Sequence, residues 1–262
     1  MPDLRYHVIS LISVFLALAI GVLLGIAMSD REIITDRLRS EVSGIQAQLD
    51  EQRELLGERN SELSEQQSFL EEMSENMIAD TLDGTNVALI RGPWASEEAA
   101  QDLQNALTSE AGANLTSFVR LPVPEPTTDE EQNELEPEAQ YAEEARDILV
   151  AVGTAETPQV VVFVGGGEVP AEAPAGSREE LEAAQREMFG VLLEAGVRVI
   201  AAEPTSTPRS EIPLFQDLGV TSVDNVDSVV GQAAVVQLAD GFQDGSYGTK
   251  PTASALFPPS TS

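Results

Sequence analysis

Residues with chemical potential are few and scattered in this chain. Three consecutive glycines, Gly165, Gly166 and Gly167, follow the apolar run Gln159 to Val164, a place where α/β folds often bind phosphates. A dinucleotide-binding turn needs G-x-G-x-x-G opening straight into a helix, whereas Glu168, Pro170 and Pro174 intervene here. The three glycines therefore read as a permissive turn, since glycine tolerates positive φ. The single histidine is His7, so a Ser-His-Asp arrangement cannot be assembled in the distal part of the chain. A soft ion such as Cu(I) requires thiolate or thioether ligands. There are no cysteines, and the five methionines are Met1, Met28, Met73, Met77 and Met188. A methionine at helical spacing is ordinarily core, and the distal part supplies almost no soft ligand. Acidic clusters are spaced too irregularly for a calcium loop. The reading is of a chain that is not an enzyme, with no catalytic, cofactor-binding or metal-ligating residue assigned.

Composition narrows the partners. A net charge of −31 over 262 residues disfavours nucleic acid or anionic lipid bound through a basic patch. The absence of cysteine removes thiol chemistry and disulfides and fits either redox compartment. Lys250 is the only lysine among fourteen basic residues, a bias that suggests a GC-rich genome.

The element that organises the rest is Val8 to Met28, twenty-one residues without a charge. As a helix it spans roughly 31 Å, the thickness of a bilayer's hydrocarbon layer. A secretory signal usually has a shorter apolar stretch of about 7–15 residues, and a core helix of this length would need apolar partners that the following polar sequence does not offer. Small residues recur at Ser13, Ala17, Gly21, Gly25 and Ser29; Gly21 and Gly25 form a GxxxG pair that lets helix backbones approach closely in lipid. Basic residues flank the run on both sides, so charge leaves its orientation open.

From Asp30 to about Asp80 the sequence contains no proline and repeats every seven residues. Val42, Leu49, Leu56, Leu63, Leu70 and Met77 occupy one position, and Leu38, Ile45, Gln52, Arg59, Gln66 and Met73 the complementary one. With the first set as a and the second as d, this predicts a coiled coil over residues 30–82, most simply a parallel homodimer with Gly21 and Gly25 continuing the contact in the membrane. The polar d residues Gln52, Arg59 and Gln66 would cost stability while fixing register.

Residues 83–262 read as one α/β domain. Apolar runs at Asn86 to Ile90, Leu115 to Leu121, Gln159 to Val164, Val197 to Ala202 and Thr221 to Val223 alternate with helical patterns, which implies a Rossmann-like or flavodoxin-like, mostly parallel sheet covered on both faces. Ser96 is placed to cap a helix reaching about Leu107. Residues 122–147 carry ten acidic residues and one basic, Arg146, and read as a solvated insertion or loop with room for a short helix near Tyr141.

Two regions carry a resemblance. Leu4-Arg5-Tyr6-His7-Val8 leading into Val14 to Gly21, and the distal Ser222 to Asp227, Gly231 to Ala234 and Gly245-Ser246-Tyr247-Gly248, resemble the actinobacterial family of mycobacterial copper transport protein B, including SteB-like envelope proteins. Arg5, His7, Asp224, Asp227, Gly231, Tyr247 and Gly248 form the family motif, with no assigned role. The resemblance implies an inner-membrane, single-pass envelope protein with residues 30–262 outside the cytoplasm. It also implies a link to copper export or homeostasis and a SteA-like membrane protein or an envelope hydrolase as partner. Three functions follow as expectations: a dimeric scaffold in envelope and division processes, a component of copper transport, or a small-molecule sensor using the cleft at the ends of the strands.

Overall fold

The computed structural model describes residues 4–123, 137–150, 157–171, 173 and 176–260, with backbone alone for 4, 5, 27–38, 40, 137, 138, 149 and 150. The chain divides into two compact units, Met1–Gln66 and Gln67–Ser262. The first is formed by helix α1, which runs Leu4–Ile78 and crosses the unit boundary. No proline interrupts it between Pro2 and Pro93, and its Leu, Ala, Glu, Gln and Arg residues are good helix formers. Tyr6–Ile26 is long and apolar enough to cross a membrane, and all of it is exposed. Around Gly21 and Gly25 there is open space.

The second unit is built on six parallel strands: β1 (Asn86–Arg91), β2 (Asn114–Arg120), β3 (Val160–Val164), β4 (Arg198–Ala202), β5 (Thr221–Val223) and β6 (Ser246–Tyr247). Their order is β2-β1-β3-β4-β5-β6, so the direction of winding reverses between β1 and β3. Helices α2 (Glu97–Asn105), α3 (Pro137–Val150), α4 (Ser177–Glu194), α5 (Ile212–Asp217) and α6 (Val229–Ala239) complete the unit. Ser96 caps α2 as its sequence position suggests, accepting from the Ala99 amide at 3.2 Å.

Side chains alternate between the faces of a strand, and β3 shows why its run of five is apolar throughout. Val160, Val162 and Val164 enter one core with α2, α6 and the residues Ile78 and Leu82; Val161 and Phe163 enter the other with α3, α4 and α5. In that second core Phe163, Phe189 and Phe215 meet edge to face with centroids 5.2 to 5.9 Å apart, the arrangement the ring quadrupole favours.

Three expectations change. The heptad helix ends at Ile78, four residues before Leu82, because the next turn is tied to its neighbour: the Asp80 and Leu82 amides donate to the Glu110 and Ala111 carbonyls. The end of β5 is not the end of the sheet, since β6 adds a two-residue strand. The acidic segment 122–147 is not solvated throughout. Residues 124–136 lie outside the described residues, but Pro137–Val150 is helix α3, and it buries Tyr141, Ala142, Ala145 and Ile148. Glu143 and Asp147 stay on its exposed face, so acidic composition and core packing coexist on one helix. The Tyr141 hydroxyl donates to the Pro122 carbonyl at 2.7 Å, pinning α3 to the end of β2. Tyr141→Phe is expected to destabilise the protein by about 1 kcal/mol, and Tyr141→Ala by about 3–5 kcal/mol, measured by urea unfolding of the full chain in detergent.

Candidate functional site

In a parallel sheet the ends of the strands expose unpaired backbone groups, and ligands favour the crevice at the winding reversal. Here β3 runs into the triple glycine, with Gly166 at φ 75° and Gly167 at φ 155°. The Gly166 amide donates to Glu211 Oε2 at 3.1 Å, and Gln185 of α4 donates to the same oxygen at 3.3 Å. Burial pushes the Glu211 carboxyl up from its ordinary value, Glu203 adding to the effect while these hydrogen bonds and Arg178 oppose it. Beside the turn a cleft of about 440 Å³ opens between Gly167, Ser177, Arg178 and Arg209. Its two guanidiniums are offset by Glu168 and Glu179 on the same lining, and Arg178 is already held by Glu182 at 3.1 Å.

The distal motif residues come together two strands further on, at the end of β5. Asp224, buried at the end of β5, accepts from the Thr249 amide at 2.6 Å and the Lys250 amide at 3.0 Å. Gly248 sits at φ 131°, and a Cβ there would run into the Asp224 carboxylate. Tyr247 is buried on β6 and donates to the Gln243 carbonyl at 2.9 Å. Asp227 accepts from the Thr205 amide and hydroxyl at 2.7 and 2.9 Å. Gly231 lets the first turn of α6 lie against the Asn225 carbonyl. Asp224, Tyr247 and Gly248 therefore form a latch that holds the segment after β6 onto the end of β5, while Asp227 ties the turn after β5 to Thr205 and Gly231 seats α6 against Asn225.

Sequence reasoning missed the charge at the centre of that latch. Glu203, wholly buried, pairs with the ammonium of Lys250, which also donates to the Pro204 carbonyl at 3.1 Å. The remaining capacity of Glu203 is taken by Ser210 Oγ and the Glu211 amide at 2.8 Å. The only signal in the sequence was that this lysine is unique. What the cluster does chemically is neutralise and tether, with its polar atoms engaged on one another. Among the described residues no group of three or more His, Asp or Glu residues could hold a metal ion.

The amino-terminal motif stands apart. Arg5 is in α1 with its side chain outside the described residues, and His7 is exposed at the start of the apolar span. The a residues Val42, Leu49, Leu56, Leu63, Leu70 and Met77 are all exposed, at 44% to 63%.

A family profile described as "Copper transport outer membrane protein, MctB" matches residues 1–144, more than half of the chain. The chain belongs to the MctB family. Proteins named "Copper transporter MctB" from Mycobacterium tuberculosis and Mycobacterium bovis are 33% identical to it over 124 residues, 46% of this chain and 38% of theirs. The match to these curated MctB relatives thus spans well under half of their length. The residues matched by the MctB profile include Arg5, His7, Gly21, Gly25 and the whole heptad series, while the latch lies beyond them. Among solved structures, the chain is similar to the signal receiver domain of the response regulator NarL from Mycobacterium tuberculosis (12% identity, 60% of this chain and 98% of that one, TM-score 0.34). It is also similar to a short chain dehydrogenase from Leptospira borgpetersenii (11%, 67% and 76%, TM-score 0.31). Likenesses this distant carry no argument about function.

Two outcomes test the buried carboxylates Glu203 and Glu211. Lys250→Met leaves the buried Glu203 without its counter-charge and is expected to cost about 3 kcal/mol, read as a lower urea midpoint. Because the native Glu211 carboxyl is raised, folding takes up protons there: its contribution is full below the ordinary carboxylate value and lost as pH rises through the raised one. Glu211→Gln keeps an acceptor for Gly166 and should flatten that fall in a stability–pH series.

Proposed function

We propose that this MctB-family chain is a non-enzymatic, single-pass membrane-anchored envelope protein that serves copper homeostasis as a parallel homodimer. In this reading residues 30–262 lie outside the cytoplasm, the heptad segment is a coiled coil, and the α/β unit is presented to envelope partners such as a SteA-like membrane protein or an envelope hydrolase. The observation that carries it is the uncovered a series on α1: six apolar residues in strict seven-residue spacing, each exposed. A second helix in the same register would cover them by knobs-into-holes packing. The anchor supports the same pairing through Gly21 and Gly25, beside which there is room for another backbone. Copper enters through the family description and the named relatives, which equally favour a direct part in copper transport.

Leu56→Asp with Leu63→Asp is expected to convert the detergent-solubilised full chain from dimer to monomer, as read by sedimentation. A dimer that survives would move the interface away from the seam. Gly21→Ile is expected to weaken anchor association in a membrane reporter assay; an unchanged signal would remove the anchor from the contact.

A further inference from the structure

The last turns of α1 belong to the sheet-bearing unit, and they show two faces. Ser74 and Ile78 are buried, the Ser74 hydroxyl reaching the Val229 carbonyl at 3.3 Å and Ile78 only 1% exposed. The Met77 carbonyl accepts from Gln237 of α6 at 3.3 Å. Met73 and Met77, by contrast, are 52% and 44% exposed. Four residues apart, they lie on one helix face, at successive d and a positions. Earlier a layers are leucine from Leu49 to Leu70, so both of these thioethers stand at the end of the seam. Met188, which the sequence pattern assigns to the core, is indeed fully buried; Met73 and Met77 are not.

We infer that Met73 and Met77, together with the same two residues of a second copy, form a thioether site for Cu(I). The inference rests on the parallel pairing proposed above, since one helix offers two sulfurs on a surface and a pair offers four around an axis. Facing d and a layers would be about 6 Å apart along that axis. Three rotatable bonds per methionine allow the sulfurs to converge between the layers. Thioethers are soft, uncharged donors that favour Cu(I) over zinc or the hard cations. They also carry no proton to lose, so binding would not depend on pH as it does for cysteine or histidine ligands. Glu71, Glu72 and Glu75 lie on the same turns and add a negative potential that attracts a cation. Antiparallel pairing would place Met77 near the Val42 end and leave no such cluster.

The test is anaerobic titration of the detergent-solubilised full chain with Cu(I) against a chromophoric Cu(I) chelator, with mass and copper X-ray absorption recorded on the same sample. The expected result is one Cu(I) per two chains in a sulfur-only shell, and its loss in Met73→Leu/Met77→Leu. Leucine conserves volume and apolarity, so that variant should remain dimeric. A dimer that binds no Cu(I), or a double variant that keeps it, overturns the site while leaving the pairing intact. A wild-type chain that is monomeric overturns both.

Discussion

Apolar surface left in water costs about 25 cal/mol per Å², and α1 presents such surface along Tyr6–Ile26 and again between Val42 and Met77. The helix itself satisfies its backbone, so what remains unmet is purely side-chain burial. Lipid can cover the first stretch, where the apolar residues surround the helix on all sides. Beyond it the apolar residues narrow to one stripe with charged residues on the other faces, and a stripe calls for a protein surface of matching period. Both demands arise from one uninterrupted element, and the MctB-family match covers all of it.

The α/β unit is, in contrast, self-sufficient. Its parallel sheet is covered on both faces, and the strands near its centre bury nearly every side chain. Three carboxylates at or beyond its strand ends are engaged internally: Glu203 by Lys250, Asp224 by the turn after β6, Glu211 by the glycine turn.

Legibility from sequence followed the range of the interactions. The spans of β1, β3 and β4 and the heptad series were visible because each depends on periodicity within a few residues. The first turn of α2 was visible because Ser96 is followed by Glu97 and Glu98. Helix α3 was obscured because ten acidic residues in the surrounding segment outweigh the spacing of Tyr141, Ala145 and Ile148. The latch was present in the sequence only as a motif without a role. Its bonds to Asp224 and from the Lys250 ammonium to Glu203 join residues 25 to 47 positions apart, and no local pattern encodes such a pairing. Exposure of Met73 and Met77 was equally hidden, because a heptad alone does not tell which flank of the helix the sheet unit will occupy.

The chain's one tryptophan, Trp94, follows β1 and is packed beside Phe163's core, with its carbonyl against Gly167. It therefore stands at the reversal between β1 and β3. Indole emission depends on local polarity, so the molecule carries a single intrinsic optical probe at the place where its sheet changes direction. No other indole contributes background from elsewhere in the chain. Loosening of the glycine turn, or occupation of the neighbouring cleft, can thus be followed in the unlabelled full-length protein, independently of what happens along α1.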